Sequence, residues 1–325
     1  MQKTHGIFIG VDLGGTNIEA AAVQDGRILA SKKINTKAKK GAKGVIKRIE
    51  KVARSVMKKI DAQAGDFQAV CVGAPGAVEL ETGLVRIAPN LDWENVQLAE
   101  RLQKRLDLPV FVDNDVNVGV AGEHAYGAGQ GAEDMVGIFV GTGIGGGVVI
   151  QGEMHYGGRG SAGEIGHMVV VPHGRLCGCG KRGCVEAYAS KTAMQKIIQE
   201  ELQKGRESCL AEMIDPDSQK VLTSSQIAEA LYAEDEVMTE IIQQAQFYLG
   251  LLTANLVNTL DPDLIVFGGG LVEQLGEPFL QPIRKTAREY YLQQTDAERV
   301  QILPSTLGDH AGTIGAAVIA QKRMG

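Results

Sequence analysis

Val112-Asp113-Asn114-Asp115-Val116-Asn117 sets two carboxylates and two amides where a strand pattern gives way to a helix pattern. The carboxyl ends of strands in α/β sheets face the ligand crevice. A carboxylate there can accept the proton of a substrate hydroxyl while a phosphoryl group arrives. Asp115 is expected to be that base, with Asn114 holding the same polyol edge. Asp and Asn also cap helices, which accounts for one of these residues and not for all of them. Asp12-Leu13-Gly14-Gly15-Thr16-Asn17 forms a tight turn between two strand patterns. Its glycines let a phosphate approach the backbone N–H groups, and Asp12 can orient a water held by Mg²⁺. An ordinary hairpin would use Gly-Gly in the same way. Gly141-Thr142-Gly143-Ile144-Gly145-Gly146-Gly147 holds five glycines in seven residues, more than a turn needs, and reads as a second phosphate turn. Gly268-Gly269-Gly270 follows an apolar strand and could lie against a nucleotide base or ribose.

A different chemistry is written in Glu164, His167, Cys177, Cys179, Cys184 and Glu186. One imidazole and three thiolates complete a tetrahedral set for Zn²⁺ and leave no open position, so the metal is expected to be structural. It should pin Glu164 and Glu186 near the crevice. Reduced core thiols beside a satisfied histidine are the plainer reading, and the Cys-x-Cys spacing with interleaved glycines opposes it. His155 and His173 read as surface-loop residues, Cys71 as a small buried hydrophobe, and Cys209 as a helix or loop residue.

Regular elements must hold these groups. Residues 7–13, 17–23 and 27–35 read as a three-strand meander, followed by a helix over residues 45–60 from apolar residues three and four apart. Strands at 69–72 and 110–112 flank a helix marked by Leu98, Leu102 and Leu106. The pattern then restarts. Residues 135–140 are a strand, 141–147 a turn and 148–151 a return strand; helices at 190–202 and 236–260, strands at 264–267 and 300–303, and a helix at 313–322 follow. Strands alternating with helices imply parallel sheets covered by helices, in two α/β halves.

The 325 residues suit about two domains, with 44% hydrophobic and 22% charged residues. The net charge of −6 opposes nucleic acid and anionic membranes as partners, and the basic stretch at 32–58 is one solvated helix face. No apolar run is long enough to span a membrane, and polar residues 1–5 do not read as a signal peptide, so the cytoplasm is expected.

In this order the motifs resemble the ROK family (repressors, open reading frames, kinases) over residues 7–317. The most specific parts are residues 162–167 and the Cys-x-Cys-Gly-x-x-Gly-Cys-x-Glu wording of residues 177–186. The resemblance implies an α/β, two-lobed actin/hexokinase/Hsp70-like (ribonuclease H-like) ATPase fold. Residues 1–117 with 306–325 would form the smaller lobe, and 118–305 the larger lobe carrying the zinc site. It implies that Asp12, Gly14, Gly15, Thr16 and Asn17 form the first phosphate motif, and Gly141, Thr142 and Gly143 the second. Gly268, Gly269 and Gly270 would form the adenosine motif. Asn114, Asp115, Glu164, His167 and Glu186 would bind sugar hydroxyls, with Asp115 catalytic, and Gly76 and Asn90 would approach the sugar. His167 would serve zinc with one ring nitrogen and sugar with the other. The implied ligands are ATP with Mg²⁺, a hexose and structural Zn²⁺, in a homodimer or higher homo-oligomer.

Residues 184–190 are similar to those of bacterial glucokinases within the family, which makes glucose the first candidate sugar. N-acetylmannosamine, N-acetylglucosamine or mannose as acceptor and polyphosphate as donor are alternatives, as is a sugar-sensing regulator. Family repressors carry a helix-turn-helix before the kinase lobes, for which the turn at Asp12 leaves no room. Val118-Gly119-Val120-Ala121 stands where the family favours alanines and leucine, a change that leaves Asp115 untouched.

Overall fold

The computed structural model describes residues 6–60, 62–214 and 221–325; residues 1–5, on which the signal-peptide expectation fell, lie outside them. In chain order the elements are β1 (Ile7–Leu13), β2 (Asn17–Gln24), β3 (Arg27–Asn35), α1 (Gly41–Met57), β4 (Phe67–Ala74), β5 (Ala77–Glu79), β6 (Leu84–Ala88), β7 (Trp93–Gln97), α2 (Leu98–Leu106), β8 (Val110–Asn114) and α3 (Asp115–Tyr126). They continue with β9 (Met135–Val140), β10 (Ile144–Ile150), β11 (Glu153–Met154), α4 (Glu186–Ala189), α5 (Lys191–Gln203), α6 (Ser224–Tyr232), α7 (Glu236–Leu260), β12 (Leu264–Gly268), α8 (Gly270–Leu275), α9 (Glu277–Glu289), β13 (Gln301–Pro304) and α10 (Ala311–Met324).

The chain divides into two compact units. The first comprises residues up to Gly131 with Met154–Ala162 and Asp309–Gly325; the second comprises Ala132–Glu153 and Gly163–Gly308. The boundary expected at 117/118 falls inside α3, which stays whole in the first unit.

Each unit is built on a five-stranded sheet, ordered β3-β2-β1-β4-β8 in the first and β11-β10-β9-β12-β13 in the second. In both, an antiparallel hairpin (β1–β2, β9–β10) is extended by parallel strands (β4 and β8, β12 and β13). Both turns and the strand ends beside them therefore occupy equivalent places. A small antiparallel sheet, β5-β6-β7, lies in a stretch for which the sequence pattern offered no element.

β1 shows why the first sheet forms. Ile7, Ile9, Val11 and Leu13 face a core shared with Val45, Ile49, Val52 and Val56 of α1. Phe8 faces the opposite core, with Val118 and Ala121 of α3 and Ala316, Ala317 and Ile319 of α10. Alternation with both faces buried produces the continuous apolar run seen in the sequence. The α3–α10 crossing depends on small residues: a Cβ on Gly315 would lie 1.6 Å from the Val118 carbonyl oxygen. α1 ends at Met57, before Ile60. The second core gathers Ile138 of β9, Ile265 and Phe267 of β12, Leu249 and Leu252 of α7 and Phe279 of α9. Asp235 starts α7 by accepting the Met238 N–H at 2.8 Å, and Asp261 ends it in the left-handed region with φ 46°.

The glycine-rich segment differs from its expectation. Only residues 141–143 form the turn, and Ile144 begins β10, so residues 144–147 are strand. A Cβ on Gly146 would fall 2.3 Å from Ile165, which lies across the strand. Glycine is required there because the turn at Ile165–His167 packs closely onto the strand.

Candidate active site

In the first unit, register brings the acidic residues together. Asp12 of β1 pairs with Gly73 of β4, and Gly73 pairs with Asp113 of β8. Gly73 has room for no side chain: a Cβ would lie 2.5 Å from Val118 and 3.5 Å from the Asp115 Cα. α3 therefore begins close to the sheet, with Asp115 as its first residue. Asn114 is the N-cap, its Oδ1 accepting from the N–H groups of Val116 at 2.8 Å and Asn117 at 3.2 Å. Its Nδ2 donates to the Gly76 carbonyl at 3.1 Å, which places Gly76 beside Asn114.

Burial, and then the charge of Asp12, raises the Asp115 carboxyl to about 7; the Val116 N–H and the Asn114 side chain oppose the shift. Burial, and then Glu19 and Asp309, raises Asp12 to about 6 against the pull of Lys33. Asp12 lies against the first turn of α10, where a Cβ on Gly312 would be 3.1 Å from its Cγ. A row of charges continues across the sheet. Glu19 is opposite Asp12, Lys33 is opposite Glu19, and Lys33 and His310 approach Glu19 at 3.7 and 3.5 Å.

The turn itself is fixed from β3's end. The Gly14 N–H donates to the Asn17 carbonyl at 2.9 Å, and Thr36 donates its hydroxyl to the Gly14 carbonyl and its N–H to the Thr16 carbonyl, each at 2.7 Å. Gly15 faces Asn90: a Cβ on Gly15 would lie 3.5 Å from the Asn90 carbonyl oxygen. Asp12, Gly14, Gly15, Thr16, Asn17, Gly76, Asn90, Asn114 and Asp115 thus all belong to this unit.

Sequence reasoning assigned no role to Tyr156 or Asp113. Tyr156 donates its hydroxyl to Asp113 at 2.8 Å, Asn117 donates its amide at 3.1 Å, and the Asn114 N–H donates at 2.7 Å. Burial lifts the Asp113 carboxyl and these donors hold it down. The repeated Asp/Asn in residues 113–117 was the available signal; Tyr156, far off in sequence, had none.

The second unit holds the remaining candidates. The Gly141 N–H closes its turn on the Gly143 carbonyl at 2.9 Å. Gly268 pairs with Phe139 of β9, and Gly269 precedes α8 at φ 91°, a conformation glycine tolerates. The two glycine segments are therefore neighbours at the ends of adjacent central strands. Glu186, at the start of α4, accepts the Ile144 N–H at 2.9 Å. His167 turns Nδ1 toward the Cys177 sulfur at 3.7 Å and Nε2 toward the Glu164 carboxylate at 3.9 Å.

The ligand atoms of His167, Cys177, Cys179 and Cys184 all lie within 4.8 Å of one another. Zn–S bonds of 2.3 Å at tetrahedral angles place sulfurs about 3.8 Å apart, and the Cys179 and Cys184 sulfurs are 3.7 Å apart. The donor set fits the metal. Cys71 is buried, while Cys209, His155 and His173 are exposed.

The ROK family model matches residues 8–323. A glucokinase of Halalkalibacterium halodurans is 36% identical over 97% of this chain and 95% of its own length. A glucokinase of Thermotoga maritima is 35% identical over 98% of both chains. Among solved structures, a ROK glucokinase of Streptomyces griseus in complex with glucose and AMPPNP superposes with a TM-score of 0.83 and 36% identity, covering 98% of this chain and 100% of that one. The fold is the two-lobed actin/hexokinase-like one, and the chain belongs to the ROK family.

Proposed function

We propose that this protein transfers the γ-phosphoryl group of ATP to the O6 hydroxyl of glucose, with Asp115 as general base. The observation that carries the reading is the placement of Asp115 at the first turn of α3 with a carboxyl raised to about 7. A base is most effective when its pKa lies near the working pH. The relatives named glucokinase and the neighbour holding glucose and AMPPNP support the substrates.

In the proposed step the sugar O6 forms a bond to the γ-phosphorus while the bond to the β,γ-bridging oxygen breaks and ADP leaves. The O6 proton passes to a carboxylate oxygen of Asp115. Asn114, Glu164, His167 and Glu186 hold sugar hydroxyls, and Gly76 and Asn90 line the approach. An analogue lacking one hydroxyl would leave a buried polar partner unpaired. Residues 12–17 and 141–143 receive the phosphates, and residues 268–270 the adenosine. Asp12 would help to hold the Mg²⁺ that comes with ATP, an ion that would supply neutralisation of phosphate charge. His167, Cys177, Cys179 and Cys184 would hold Zn²⁺, which would tie their loop together. Among the described residues no helix is long and apolar enough to cross a membrane. We extend the reading to a cytoplasmic, homo-oligomeric enzyme of glycolysis.

A coupled ADP-release assay with glucose, mannose, N-acetylmannosamine and N-acetylglucosamine tests the reading. Turnover with glucose that is lost in Asp115→Ala supports it. Turnover with another sugar, or with polyphosphate in place of ATP, keeps the base and changes the substrate. Saturable sugar binding without turnover makes the protein a sugar sensor.

A further inference from the structure

We infer that Glu186 is a positioning residue for the second glycine turn, and that Glu186, Lys191 and Thr192 together clamp the turn in its phosphate-receiving shape. The inference rests on the proposed reading of residues 141–143 as a nucleotide turn.

The clamp is built from both sides of the α4–α5 junction. The Glu186 Oε2 accepts the Ile144 N–H at 2.9 Å. The Lys191 N–H donates to the Gly141 carbonyl at 3.0 Å. Thr192 donates both its N–H, at 3.4 Å, and its hydroxyl, at 2.7 Å, to the Thr142 carbonyl. With these groups held, the Thr142 and Gly143 N–H groups have no protein acceptor among the described residues. Two adjacent N–H groups left over on a fixed turn are what a phosphate oxygen requires.

Glycine at position 143 follows from the same contact. A Cβ there would lie 2.6 Å from Glu186 Oε2. A carboxylate beside a phosphate turn is electrostatically adverse. Its position needs a structural reason, and the charge-assisted bond to the Ile144 N–H supplies one. A residue serving only sugar hydroxyls would not commit one carboxylate oxygen to the turn.

The clamp is also continuous with the cysteine cluster. Glu186 stands two residues after Cys184, whose carbonyl accepts the Ala187 N–H at 3.0 Å, and its Oε1 lies 3.5 Å from the Cys177 sulfur. Order in the cluster is thereby passed to the turn through a few covalent bonds and one carboxylate.

Calorimetry of MgADP binding without sugar, and of glucose binding without nucleotide, tests the inference in the intact chain. Zinc content and melting temperature serve as controls for folding. Glu186→Ala should raise the Kd for MgADP about tenfold, the loss of one charge-assisted bond. Glu186→Gln keeps an acceptor for the Ile144 N–H and should stay within about threefold of wild type for MgADP while weakening glucose. Thr192→Val removes one hydroxyl bond and should weaken MgADP severalfold with glucose affinity unchanged. Unchanged MgADP affinity in both Glu186→Ala and Thr192→Val would overturn the clamp. Failure of the wild type to bind MgADP would instead remove the nucleotide reading beneath it.

Discussion

β1 ends on Val11-Asp12-Leu13 before its turn, whereas β9 ends on Ile138-Phe139-Val140 at the equivalent place. Both turns are latched by a threonine hydroxyl on a turn carbonyl at 2.7 Å, Thr36 on Gly14 and Thr192 on Thr142. The latch is shared and the charge is not. In the first unit burial raises the affinity of both Asp12 and Asp115 for protons, and the charge of Asp12 raises that of Asp115 further. In the second, the carboxylate nearest the turn is Glu186, already bonded to backbone, and a donor set for a metal lies behind it. One strand order thus supports two kinds of site. The first keeps its carboxylates free to titrate, and the second uses its polar groups to hold backbone still.

The largest test of that contrast is Asp115→Ala. If the first unit owns the chemistry, kcat should fall by about 10³ or more, a base's usual contribution and the loss of its charge together. MgADP affinity, assigned in part to the second unit, should change little, as calorimetry can check. Gly315→Val attacks the first unit's frame, because a Cβ must enter the space of the Val118 carbonyl. A loss of about 3 kcal/mol or more is expected by denaturant titration, since backbone must move. Chelation probes the other side. Removing metal from purified protein should lower the melting temperature by several degrees and expose three reactive thiols, with one zinc released per chain.

The raised carboxyls give the comparison a pH dependence. In the free enzyme kcat/KM should fall as pH drops through about 7, where Asp115 takes up its proton. Stability should move the other way. An unfolded aspartate titrates near ~3.9, so between that pH and about 7 the native state binds the extra proton and wild type loses stability as pH rises. Asp115→Asn should therefore melt about 2–4 °C above wild type at pH 8, with a smaller gain at pH 5. A gain that is equal at both pH values would break the assignment of the strain to Asp115. The smallest effect is expected at Glu50, which pairs with Arg54 and Arg105 on the first unit's surface. Glu50→Ala should cost less than about 1 kcal/mol by thermal melting.

Much of this was legible in the residues. Period-two and continuous apolar runs marked β1, β4, β8, β9 and β12, because a strand buried on both faces must be apolar throughout. The turn glycines, the His-Cys donor set and the Asp/Asn run around Asp115 were visible because each combines residue types that chemistry demands. The small β5-β6-β7 sheet was not, since its short strands are half exposed and carry no clean alternation. The extent of the second turn was misjudged because glycine is equally a turn residue and a strand residue that admits close packing, and only the presence of Ile165 decides between them.

By itself, then, the sequence determined the family, the alternation of strands and helices, and the kinds of groups available, since these depend on local pattern and residue type. Only the tertiary structure decided what each group is bonded to. Cross-strand register set Asp12, Gly73 and Asp113 in one row, helix packing at Gly315 and Gly73 brought α3 close to the sheet, and the α4–α5 junction met a turn more than forty residues earlier. Such contacts join residues far apart in the chain, and no local spacing encodes them.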